Sequence, residues 1–166
     1  IWSMQKEGQE LLKYNDFFQY EISAYAKKKF ASIHNTNYWE FGDYIGIGAG
    51  AHSKITNFND GKIERFSRHR VPKRYIELAG HSDVIAHKKI LDSDDISLEF
   101  MMNTLRLTNG ISANLFFERT GLHMNQIKKE LKYAKDRGLL DLCGDQIVAS
   151  SHGQRYLNDL LQIFMK

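Results

Sequence analysis

The sequence predicts an α+β chain with its strands early and its helices late, on three observations. Residues 17–25 and 43–66 carry short runs rich in aromatic and β-branched residues, broken by glycines. From Pro72 onward, apolar residues recur at helical spacing. From Ser112 onward, helix, turn, helix and hairpin follow in a winged-helix-like order.

Taken in order, Ser3 to Lys13 reads as a surface helix carrying Met4, Leu11 and Leu12, with Ser3 as its N-cap. Phe17 to Tyr25 reads as a strand, ended by Lys27-Lys28-Lys29. Asp43 to Ala51 is short, apolar and glycine-rich, which suits a buried strand running into a loop. Ile55–Phe58 and Lys62–Phe66 flank Asn59-Asp60-Gly61, a hairpin turn signal. Pro72 fits the first turn of a helix carrying Tyr75, Ile76 and Leu78 and ending at Gly80. Asp94 to Leu107 is a helix with Leu98, Met101, Met102 and Leu105 on its apolar side, stopped by Asn109-Gly110. Both helices are expected to pack into a core.

Ser112 caps a short helix bearing Leu115 and Phe116, and Thr120-Gly121-Leu122 turns the chain. A longer helix follows with Met124, Ile127, Leu131 and Ala134 on one face. Leu139–Leu142 and Gln146–Ala149 flank Cys143-Gly144-Asp145 as two strands, before a final helix with Tyr156, Leu157, Leu160, Leu161 and Phe164. Two regions are expected: 1–70 with the early strands and hairpin, and a helical 71–166 whose winged-helix-like part is about 111–166.

At 166 residues the chain is long enough for one well-buried core or two small ones. It is 42% hydrophobic and 26% charged, and no segment approaches the roughly 18 apolar residues of a membrane span. Its 23 basic and 20 acidic residues are interspersed, for a net charge of +3, so no nucleic-acid partner is expected. The single cysteine, Cys143, excludes an internal disulfide framework and a cysteine-built zinc or iron–sulphur centre within the chain, and fits a cytoplasmic setting. The start at Ile1, with neither an initiator Met nor a signal-peptide pattern, suggests a piece of a longer polypeptide.

Gly46, Gly48 and Ala51 formally fit G-x-G-x-x-A, but a hairpin follows where a dinucleotide site needs a helix N-terminus. These glycines either permit tight packing at a strand end or expose bare backbone to a cofactor pocket. In Ser32-Ile33-His34-Asn35-Thr36-Asn37-Tyr38-Trp39, an imidazole, an amide and two aromatic rings fall close together. They would supply an axial nitrogen ligand, a hydrogen bond and flat stacking surfaces for a porphyrin; a structural histidine beside aromatics is the plainer alternative. His52, His69, His81, His87, His123 and His152 lack metal-ligand spacing. Lys128, Lys129, Lys132, Lys135 and Arg137 are interrupted by Glu130 and Asp136, which favours a solvated face over a phosphate-binding one.

The pattern His34-Asn35-x-x-Tyr38-Trp39, followed by Asp43-Tyr44-Ile45-Gly46-Ile47-Gly48-Ala49-Gly50-Ala51-His52-Ser53, resembles the C-terminal half of oxygen-independent coproporphyrinogen III oxidase-like radical SAM proteins. Tyr20-Glu21-Ile22-Ser23, Glu99-Phe100-Met101-Met102-Asn103, Thr120-Gly121-Leu122, Gly138-Leu139-Leu140 and Gly153-x-x-Tyr156-Leu157-Asn158 extend the resemblance along nearly the whole chain. Within the family the signature is more similar to the bacterial haem chaperones than to the oxidases.

The resemblance implies that residues 1–70 include the last strands of a partial radical SAM barrel. It implies a full-length protein that binds haem and passes it to haem-accepting proteins, with coproporphyrinogen III oxidation as the alternative. His34, Asn35, Tyr38 and Trp39 are the implied haem contacts, with His34 a candidate iron ligand. Gly46, Ile47, Gly48 and Gly50 are the implied contacts to S-adenosylmethionine. The chain departs from many relatives at Ala24, at Lys28-Lys29 where they carry Pro-Gly, and at Ser32 where they carry Cys. The family's three-cysteine [4Fe–4S] motif is absent, so these 166 residues alone are expected to be catalytically silent.

Overall fold

Helix α1 (Trp2–Tyr14) opens the chain in the computed structural model, which describes residues 1–165. Ser3 lies inside this helix rather than capping it, because Gln5 N–H already donates to the Ile1 carbonyl at 3.0 Å and the N-cap falls two residues earlier than expected, at Ile1. Two units form: one contains Gly42–Ser97, the other Ile1–Phe41 together with the chain from Leu98 onward.

In the second of these, Phe17 to Tyr25 is not one strand. It folds back as the antiparallel hairpin β1 (Phe18–Glu21) and β2 (Ala24–Ala26). The physical reason is the carboxylate of buried Glu21, which accepts from the Ser23 N–H at 3.0 Å and holds the reversal. Helix α2 (Ile33–Trp39) follows. The core forms around Phe41, Phe100 and Phe116, whose rings meet edge to face at centroid distances of 5.7 and 5.1 Å.

Phe100, Met101 and Leu105 of α4 (Ser93–Thr104) are buried, whereas Met102 is exposed, since it sits about 100° round the helix from Met101. Strand β6 (Ile111–Ser112) leads into α5 (Ala113–Thr120), which Ser112 caps by accepting from Asn114 N–H. Gly121 ends α5 at φ +70°. A 3₁₀ turn at Met124–Ile127 precedes α6 (Lys128–Asp136), so the expected long helix begins as a tighter turn; Ile127, Leu131 and Ala134 are buried.

Strands β7 (Leu140–Cys143) and β8 (Gln146–Ala149) form the expected hairpin, and β6 completes the order β6-β8-β7. The final helix is broken at Tyr156 into α7 (Ser151–Arg155) and α8 (Leu157–Gln162). Gly153 lies so close to the Leu139 carbonyl that a Cβ would stand 2.0 Å away, which fixes α7. The break lets Leu157 and Leu160 turn into the core.

In Gly42–Ser97, β3 (His52–Thr56), β4 (Ile63–Arg68) and β5 (Ile85–Ile90) make an antiparallel sheet in that order. Gly61 at φ +70° closes the β3–β4 loop. Asp43 to Ala51 is not a buried strand. Only Tyr44 pairs, with Lys54, and Ile45 and Ile47 are exposed, because Gly48 and Gly50 at φ +116° and +73° bend the backbone out of extended conformation. Pro72 begins α3 (Pro72–Glu77) as expected, but none of its residues is buried, so this six-residue helix does not pack into the core. Every named strand pair is antiparallel, and among the described residues no sheet closes into a barrel.

Candidate functional site

Helix α2 owes its start to Ser32, whose hydroxyl accepts from Asn35 N–H at 3.3 Å. It ends where Phe41, almost fully buried, takes φ +59°, a left-handed conformation that normally favours glycine. Packing of the Phe41 ring on Phe100 offsets the strain of roughly 1–2 kcal/mol and fixes the exit of the helix.

The candidate haem residues divide into two stripes, since residues four apart share a helix face. His34 and Tyr38 form one. His34 is exposed, and its imidazole makes no hydrogen bond or ring contact among the described residues. Tyr38 is half-buried and meets the Trp39 ring edge to face at 4.9 Å. Asn35 and Trp39 form the second, and both are engaged. The Asn35 amide donates to the Tyr20 hydroxyl at 3.2 Å, and one face of Trp39 is covered by the Arg106 guanidinium at 4.3 Å.

Arg106 was not legible as a partner, yet it ties this region together. It donates to Glu21 Oε2 at 3.3 Å and to Ser23 Oγ at 3.2 Å, while Ile22 N–H donates to the Arg106 carbonyl. Trp39 Nε1 and Arg106 Nε are buried without hydrogen-bond partners, so the Trp39–Arg106 contact rests on stacking. Asn103 donates its amide to the Tyr38 carbonyl at 3.2 Å. The one available sequence signal was a charged residue set between Leu105 and Leu107, both buried. Thus α2 is held at Asn35, Tyr38 and Trp39, while His34 is exposed.

The glycine segment lies in the other unit. Asp43 anchors its start: the fully buried Lys54 ammonium donates to it at 2.7 Å, and Thr56 donates through both its backbone N–H (2.8 Å) and its hydroxyl (2.9 Å). Burial opposes ionisation of Asp43, but these bonds and the Lys54 charge outweigh it and hold the carboxyl below its ordinary pKa. Gly46 donates to Ser53 Oγ at 2.9 Å and accepts from Arg68 Nε at 2.9 Å. A Cβ on Gly46 would lie 2.1 Å from the His52 carbonyl, so glycine is required there by the chain's own sheet. Gly48 donates to the Tyr75 hydroxyl at 3.2 Å and Gly50 to the His69 carbonyl at 2.9 Å, while Ile47 points to solvent.

No group of three or more His, Cys, Asp or Glu able to hold a metal occurs among the described residues. The one cysteine, Cys143, is exposed at the end of β7, and this donor set does not fit an iron–sulphur cluster. No helix among the described residues is long and apolar enough to cross a membrane.

Comparison with known proteins shows what these elements resemble. The HemN C-terminal domain matches residues 91–156. The heme chaperone HemW of Escherichia coli is 38% identical over 99% of this chain and 42% of its own length. HemW of Haemophilus influenzae is 36% identical over the same shares. The chain therefore spans less than half the length of these relatives. The solved structure of coproporphyrinogen III oxidase (HemN) from Escherichia coli, described as a radical SAM enzyme, shares the fold with a TM-score of 0.65 at 14% identity, over 96% of this chain and 39% of that one. The chain thus carries a HemN C-terminal domain at residues 91–156 and is similar, over nearly all of its own length, to part of the heme chaperones HemW.

Proposed function

We propose that this chain is the C-terminal region of a radical SAM haem chaperone, which binds haem and passes it to acceptor proteins in the cytoplasm. One observation carries the reading: α2 is braced by Tyr20, Asn103 and Arg106, yet leaves the His34 imidazole exposed and unengaged. An imidazole in that setting is an available nitrogen ligand for iron. The half-buried Tyr38 and Trp39 supply aromatic surface nearby, and Asn35 holds the helix to β1. Similarity to heme chaperones over 99% of this chain supports the same assignment.

In the longer protein, residues 1–70 would adjoin the barrel region and Gly46, Ile47, Gly48 and Gly50 would approach S-adenosylmethionine. The [4Fe–4S] cluster would be held by cysteines outside these 166 residues. Residues 111–166 would form a winged-helix-like appendage, supported by the succession of α5, α6 and the β7–β8 hairpin.

Titrating ferric haem into the chain and into His34→Ala tests the proposal. The Soret band of the parent is expected to shift and sharpen with saturable binding, and His34→Ala to lose that spectrum. Identical spectra would remove His34 as a ligand. Turnover of coproporphyrinogen III by a full-length protein containing this chain would assign it to the oxidases instead.

A further inference from the structure

We infer that the groove leading from the β1–β2 hairpin into α2 receives the carboxylate edge of a tetrapyrrole, with Lys27, Lys28 and Lys29 as the propionate-binding side chains. The inference rests on the haem reading above and assigns a second part of the same site. The groove has a volume of about 420 Å³ and is lined by Phe18, Tyr20, Ala26 and Ala31 together with the three lysines. Binding sites for small molecules occupy roughly 300–1,000 Å³ and combine an apolar lining with a few polar groups. This groove has that make-up: an aromatic and aliphatic wall beside three exposed ammonium groups.

Charge and shape together select the occupant. An apolar ligand without charge gains nothing from the lysines, and a simple inorganic anion gains nothing from Phe18 and Tyr20. A flat apolar ring carrying two carboxylates uses both. Tyr20 joins the groove to the candidate haem helix, because it lines the groove and its hydroxyl accepts from the Asn35 amide.

The backbone adds an independent observation. Lys29 adopts φ +70°, a conformation that glycine takes freely and a lysine side chain disfavours. A conformation of this kind costs about 1–3 kcal/mol and recurs at ligand clamps. The Lys27 ammonium lies 5.6 Å from the centroid of the Phe17 ring, and the residue is exposed.

The test compares ferric haem with its dimethyl ester, which keeps the ring and iron but lacks ionised carboxylates. Both are titrated at pH 7.5 into the chain and into the triple variant Lys27→Gln/Lys28→Gln/Lys29→Gly. The glycine substitution relieves the left-handed backbone, so the variant is expected to melt no lower than the parent. The parent should prefer haem over the ester about tenfold, and the variant should lose that preference while binding the ester unchanged. Equal affinity of parent and variant for haem overturns the lysine assignment and leaves His34 standing. A parent that binds neither ligand overturns the haem reading and this inference with it. Lysine-dependent sedimentation with phosphatidylserine vesicles, combined with unchanged haem binding by the variant, assigns the cluster to a membrane surface instead.

Discussion

Replacing Asp43 by Asn keeps the shape of the side chain and removes its charge, leaving the Lys54 ammonium in a site where the side chain is only 1% exposed. Removing one partner of a buried pair costs about 3–5 kcal/mol. Asp43 itself retains 30% exposure, which screens part of the interaction, so the expected loss is about 2–4 kcal/mol. Both residues belong to Gly42–Ser97, and amide hydrogen exchange reads that unit separately. Amides of β3 and β4 should exchange about 30- to 700-fold faster in Asp43→Asn, while those of β7 and β8 serve as the reference. Lys54→Met, which removes the buried cation, should recover most of the protection. Exchange of β3 within about threefold of the parent in Asp43→Asn would refute the anchoring role. The pH dependence has a definite sign. The folded-state pKa of Asp43 lies below its ordinary value, so its contribution is complete above the unfolded carboxylate pKa of about 3.9 and disappears as pH falls through the lower folded value. In the parent, protection of β3 should drop in that acid window, and Asp43→Asn should lack that component.

Gly46→Ala should destabilise the same unit by about 1–3 kcal/mol, because the new methyl would stand 2.1 Å from the His52 carbonyl and force the segment off β3; urea titration followed by exchange at β3 measures this, and a change under about 0.5 kcal/mol would contradict the close approach. Arg106→Met uncovers the Trp39 ring and leaves the Glu21 carboxylate, itself 3% exposed, without its guanidinium partner. The expected cost is about 2–4 kcal/mol, with a red-shifted Trp39 emission in a Trp2→Phe background; unchanged emission would mean that the stacking does not shield the indole.

Legibility followed the range of the interactions. The β3–β4 hairpin and the α5 cap were readable because Gly61 and Ser112 act on neighbours within a few residues. The β7–β8 hairpin was readable for the same reason, with Gly144 at φ +60° between its strands. Asp43 to Ala51 misled because an apolar composition resembles a buried strand, whereas the conformation is decided by three glycines and by partners such as Ser53, Arg68 and Tyr75. The single expected strand at Phe17 to Tyr25 failed on one local bond from Ser23 to Glu21. The motif His34 to Trp39 was visible as a cluster of chemistry-bearing residues, but periodicity carried no trace of Arg106, 67 positions beyond Trp39, or of the lysine-lined groove. Those depend on where separate segments meet.

A ligand reached from solvent can also be displaced from solvent. His34 projects from a helix whose ends are fixed by the Ser32 cap and by Phe41, so seating a cargo there would require ordering little beyond one imidazole. On the proposed reading the same exposure governs departure. The side chain of an incoming acceptor would approach the iron without any part of α2 unfolding, so delivery would proceed by exchange of one ligand for another. The rate of handover would then depend on the acceptor's concentration, and a mutation that buried His34 would slow release more than it strengthened capture.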